Sequence, residues 1–136
     1  LYLLRYKYAI VYKDDKVWMC NSLTSVDDIK NIIKDIQDRR EQWQLSHRRK
    51  NLLTLDSLGI DQNVAFDMIY NLLTWQNYIS GPMPDDHPTP VPGNIWIFGL
   101  DIDNLSCYLK FQDRPSGVVM WISLHEAEHP LHFPYR

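Results

Sequence analysis

The sequence predicts an α+β fold, with N-terminal helices packed on one face of an antiparallel β-sheet. Three observations carry this. Apolar residues recur at helical spacing between residues 25 and 73. Five prolines in "GPMPDDHPTPVPG" then bar both helix and central strand across residues 81–93. Three apolar segments separated by turn signals follow. Helices first and strands afterwards segregate the two kinds of element into layers. At 136 residues the chain suits a single domain, and its 45% apolar and 23% charged content is that of an ordinary globular protein.

Residues 2–12 and 16–20 are β-prone segments around the turn "KDDK", expected to form an extra N-terminal hairpin. The chain begins with Leu1, and Met19 stands just before "CNSLTSVDDIK". Residues 1–18 are therefore expected to precede the natural start or to be a non-native extension, with residues 21–136 as the core of the domain. Interruption of the first segment by Arg5 and Lys7 argues against a signal peptide, and no apolar run has the length of a membrane span. Cys20 and Cys107 lie far apart without metal or redox spacing, as expected of reduced thiols in a cytoplasmic protein.

From Ser25, an N-cap residue followed by Asp27 and Asp28, a stripe of Val26, Ile29, Ile32, Ile33, Ile36 and Trp43 predicts a helix with one buried face. "RRKNLLTLDSLGI" supplies a short helix on Leu52, Leu53, Leu55 and Leu58, stopped at Gly59. Asp61 caps a third, with Val64, Met68, Ile69, Leu72 and Leu73 as the expected buried face. "IWIFGLDI", "CYLKFQ" and "VVMWISL", joined by "DNLS" and "DRPSG", predict an antiparallel meander.

Strand side chains alternate faces. Cys107, Leu109 and Phe111, with Val118, Met120, Ile122 and Leu124, are expected to cover the helices. Tyr108, Lys110 and Gln112, with Val119, Trp121, Ser123 and His125, are expected on the opposite face. That second set is either a solvent-facing strand surface or a site. Charge is also uneven. Residues 29–50 hold Lys30, Lys34, Arg39, Arg40, Arg48, Arg49 and Lys50 against Asp35, Asp38 and Glu41, whereas residues 51–136 are strongly acidic. A polyanion would be drawn to the basic segment, unless those cations are simply a solvated helix face.

"HEAEH" at residues 125–129 matches H-E-x-x-H, which places two zinc ligands and a glutamate base on one helix. The β-periodicity before His125 and Pro130 directly after His129 deny it that helix. No metal or other cofactor is expected.

"HRRKNLLTLDSLGI", "ISGPMPDD", "GNIWIFGLDI", "YLKF" and "ISLHEAEHPLHFPY", in that order, resemble a branch of the MqsR toxins. These are ribonucleases of bacterial type II toxin–antitoxin pairs, related in fold to the RelE toxins. The resemblance covers roughly residues 47–136. It implies a RelE-like fold, metal-independent cleavage of messenger RNA with arrest of translation, and a cognate antitoxin as protein partner, with no membrane role. Tyr108 and Lys110 stand in the family's Tyr-x-Lys strand, and His125 falls where better-studied members carry a lysine after the last strand's Ser-Phe pair. The resemblance thus implies His125 as general acid or base, Lys110 as the cation facing phosphate, and Tyr108 as hydrogen-bond donor or positioning group. Trp96 and Trp121 are candidate stacking surfaces for bases, and Arg48, Arg49 and Lys50 candidate phosphate contacts. Two family positions differ: Ile79 replaces a lysine and Ile97 a glutamine, leaving His87, His129 or Asp85 to compensate.

Two further functions are weighed beside the ribonuclease. A non-catalytic protein-binding module of the same fold would bind a partner and leave RNA intact. A metal-dependent hydrolase would use the terminal histidines.

Overall fold

The computed structural model describes residues 24–136 in full, and the backbone of residues 8–13 and 16–21 before them. Strands β1 (Tyr8–Lys13) and β2 (Lys16–Asn21) pair antiparallel as a two-stranded sheet of their own. This is the expected hairpin; residues 2–7 of its first segment and the turn residues Asp14 and Asp15 lie outside the described residues. Then come α1 (Val26–Asp38), β3 (Trp43–Leu45), α2 (Arg49–Leu58), α3 (Gln62–Leu72), β4 (Tyr78–Met83), β5 (Asn94–Ile102), β6 (Leu105–Asp113) and β7 (Val119–Glu126). The class is α+β, as expected. The main sheet has the order β3-β7-β6-β5-β4; every neighbouring pair is antiparallel except β3 and β7, which run parallel.

Local chemistry explains the boundaries. The Ser25 hydroxyl accepts from Asp28 N, and the Asp61 carboxylate from Val64 N, so each caps its helix. Gly59 ends α2 in the left-handed conformation (φ 67°). Asp103 and Asn104 turn β5 into β6 with φ of 50° and 66°, the two-residue hairpin loop that such side chains tolerate. The proline-rich loop precedes β5, and Pro82 falls in β4, an edge strand where its missing N–H leaves no central ladder incomplete.

Ile29, Ile32, Ile33 and Ile36 of α1 pack with Phe66 and Ile69 of α3, and with Phe98, Leu109, Phe111 and Trp121 of the sheet, in one core. Trp43 was expected on the stripe of α1, but that helix ends at Asp38 and Trp43 opens β3. Its ring lies 5.0 Å from Trp121, and its indole N–H donates to Ile36 O at 2.7 Å, closing the end of α1.

The buried faces of the two shorter helices are rotated from those expected. In α2, Leu52 and Leu53 are 46% and 50% exposed, while Asn51, Thr54 and Leu55 are buried. In α3, Val64 and Leu72 are exposed, and Ala65, Phe66 and Ile69 face the core. The α2 rotation has a hydrogen-bonding reason. Because β3 ends opposite Trp121, the outer edge of β7 beyond it has no neighbouring strand among the described residues. Asn51 Nδ2 donates to Ser46 O (2.8 Å) and Ile122 O (3.0 Å), and its Oδ1 accepts from Leu124 N (2.9 Å). One turn on, Thr54 Oγ1 accepts from Glu126 N at 3.0 Å. Side chains of α2 thus complete the edge of β7 where backbone cannot, and polar residues win the helix face over leucines.

Candidate active site

Between Lys110 and Phe111 the register of β6 against β7 slips: Lys110 pairs with Ser123 but Phe111 with Trp121, leaving Ile122 as a bulged extra residue. The bulge corrects the alternation read from the sequence. Before it, Val119 and Trp121 face the helices, and Met120 the opposite side; after it, Ser123 and His125 share the open face with Tyr108 and Lys110. Trp121 is therefore fully buried beside Trp43 and Phe111. Trp96, opposite Phe111, is likewise core, with its ring 6.4 Å from Tyr78. Neither tryptophan presents a free face on which a base could stack.

On the open face, Tyr108 lies opposite His125 and Lys110 opposite Ser123. These four line a cavity of about 420 Å³ together with Arg48, Lys50 and the chain after β7 from Ala127 to Leu131. The tail is the wall that strand periodicity could not foresee. Gly99, opposite Tyr108 on β5, has no side chain, and a Cβ there would come within 2.7–2.9 Å of Leu131 and Phe133. Glycine at this point lets the tail cross the sheet beside Tyr108. Farther on, Tyr135 packs 6.1 Å from Trp75 and donates its hydroxyl hydrogen to Thr24 O.

The polar contacts orient the site. Arg48, the residue before α2, donates to Ser123 Oγ at 3.2 Å. Lys50 forms an ion pair with Glu128, whose carboxyl is held below its usual range by that lysine. His125 is nearly buried (8% exposed), its ring 5.5 Å from that of Tyr108. Its Nδ1 lies 2.9 Å from Glu126 O. A carbonyl only accepts, so Nδ1 carries hydrogen in this contact and Nε2 is the nitrogen left for chemistry. Burial pushes the Tyr108 phenol above its ordinary pKa, against the opposing field of Arg48, so it stays protonated at neutral pH.

The other sequence candidates divide. His129 lines the cavity, whereas Arg49 does not. Asp85 and His87 lie on a second cavity, on the proline-rich loop, with His87 Nδ1 2.5 Å from the Asp85 carboxylate. Asp85, Asp86 and His87 bring possible metal-ligand atoms together, but Asp86 and His87 are exposed, and the half-buried Asp85 already bonds the His87 ring and backbone. "HEAEH" forms no helix: His125 and Glu126 end β7 and the rest is irregular, so its two histidines do not stack as a zinc helix requires. Ile97 pairs with Lys110 across β5 and β6, and Ile79 lies on β4; neither lines the cavity.

Missed by sequence reasoning were Asn51 and the tail. Asn51 had a signal, a polar residue four positions before Leu55 on a helix whose leucines fit no single stripe. Comparisons with family models, with curated proteins and with solved structures found no match for this chain. Among the described residues, no helix is long and apolar enough to cross a membrane.

Proposed function

We propose that the chain is the ribonuclease toxin of a toxin–antitoxin pair, as its resemblance to the MqsR toxins implies, and that it cleaves messenger RNA at the cavity floored by Tyr108, Lys110 and His125. The observation that carries this reading is the convergence of those three residues with Arg48 and Lys50 around one cavity. A proton acceptor, a phenol and three cations suit phosphodiester transesterification. In the proposed reaction, His125 Nε2 takes the proton of the ribose 2′-hydroxyl and the 2′-oxygen attacks phosphorus. Lys110 and Arg48 balance the charge gathered on the phosphorane. As the P–O5′ bond breaks, the leaving oxygen takes its proton from the Tyr108 phenol. The products are a 2′,3′-cyclic phosphate and a 5′-hydroxyl; the 2′-hydroxyl proton ends on His125 and the 5′-oxygen takes its proton from Tyr108, so passage of one proton from His125 to the phenolate restores both groups.

Induced expression in bacteria, with the ends of cellular RNA mapped, tests the proposal. Growth arrest with new cleavage sites is expected, both relieved by His125→Ala in a protein that still folds. Normal growth with folded parent protein and intact messengers would instead favour the protein-binding module.

A further inference from the structure

Beyond Lys110 the open face continues into the second cavity, about 540 Å³, and its walls differ in kind from those of the first. Met120 and the half-buried Ile122, the bulged residue of β7, line it together with Pro88 and Val91 of the proline-rich loop. Arg114 supplies the polar edge. Gln112, 1% exposed, fixes both the loop and the arginine: its Nε2 donates to Val91 O (2.8 Å) and Gly93 O (3.2 Å), and its Oε1 accepts from Arg114 Nε (3.0 Å). The terminal nitrogens of Arg114 have no partner among the described residues. Asp85 turns its carboxylate into its own loop, accepting from Val91 N at 2.9 Å and bonding the His87 ring.

We infer that this second cavity is a base-reading subsite, which takes the nucleobase of the nucleotide next to the scissile phosphate and prefers an acceptor edge. The inference rests on the ribonuclease reading for its place in the reaction. Electrostatics assigns the parts. The first cavity sets Arg48, Lys50 and Lys110 against one carboxylate, Glu128, which Lys50 already pairs, and its remaining positive charge suits phosphate. The second balances one arginine with one carboxylate, held by its own loop and His87, beside apolar walls and suits a neutral, flat group. Spacing agrees. Gln112 lies two residues from Lys110 on the same strand face, about 6.6–6.8 Å along β6, a step that an extended single strand covers with one nucleotide. An arginine edge that can only donate favours guanine, which offers O6 and N7 as acceptors, over adenine, whose N6 is a donor.

The test is methyl NMR on the full chain, following Met120 and Ile122 during titration with guanosine 3′-monophosphate and, separately, adenosine 3′-monophosphate. The expected result is saturable movement of both methyls, with guanosine bound about tenfold tighter, the lower part of the range for one bidentate contact. Arg114→Ala, with Arg114→Gln as a second variant, should erase the preference while the core isoleucine methyls stay in place. Unmoved methyls at millimolar nucleotide, equal binding of the two purines, or a preference that survives both variants would overturn the inference. RNA cleavage is scored independently. Cleavage with silent methyls sinks the subsite alone, and responsive methyls without cleavage sink the nuclease alone.

Discussion

Replacing Asn51 by alanine removes one buried side chain that satisfies three backbone groups. The Leu124 N–H loses its acceptor, and Ser46 O and Ile122 O lose a donor. Leu124 is fully buried, so water does not readily replace the lost bond. An unsatisfied buried donor costs about 1–3 kcal/mol, and carbonyls that lose a neutral hydrogen bond add about 0.5–1.5 kcal/mol each. These terms overlap because the strand edge relaxes as a unit, so the expected loss is about 2–4 kcal/mol. For a domain of this size that is a fall of about 6–16 °C in Tm. Urea unfolding followed by tryptophan fluorescence measures it directly, since Trp43 and Trp121 sit in the same core. Asn51→Leu should fare no better despite its added apolar volume, because the same three groups are orphaned. Loss of less than about 0.5 kcal/mol in both variants would refute the idea that α2 completes the edge of β7.

Three further outcomes follow from the geometry. Gly99→Val should drive Leu131 and Phe133 off the sheet and expose the tail, seen as faster digestion from the C-terminus by a carboxypeptidase; unchanged digestion would contradict the crossing at Gly99. Tyr108 is raised by burial and restrained by Arg48, so Arg48→Ala should raise it further. A group raised on folding contributes stability below its unfolded pKa that is lost as pH climbs through the folded value, and NMR titration of labelled tyrosine reads the shift. Asp85 is drawn down to about 2, first by the Val91 N–H and then by His87. The ordering it gives its loop should hold above the ordinary carboxylate range and fail only as pH falls through about 2, whereas Asp85→Asn should show no such acid transition in the loop amide signals.

Much of the fold was legible because periodicity and punctuation agree. The isoleucines of α1, the prolines before β5 and the Asp103–Asn104 turn each leave a local signature. The rest depends on contacts that no local window contains. The rotation of α2 answers unpaired backbone on β7, some seventy residues away. The bulge at Ile122 reverses the faces of Val119 and Trp121, and nothing in "VVMWISL" marks it. The shared face of Tyr108, Lys110 and His125 was legible because all three lie on the unaffected side of that bulge. The tail from Ala127 to Leu131 was invisible, since its position is set by a missing side chain at Gly99 on another strand. The second cavity escaped notice because Met120 and Ile122 read as core.

The central claim is that His125 and Lys110 cut RNA through the neighbouring 2′-hydroxyl, and the most direct measurement is the chemistry of the ends. A defined messenger incubated in a translating extract with the purified chain should yield fragments ending in 2′,3′-cyclic phosphate. Those fragments should vanish with His125→Ala or Lys110→Ala and persist with Arg49→Ala. An intact messenger, or fragments that His125→Ala leaves undiminished, would contradict the account.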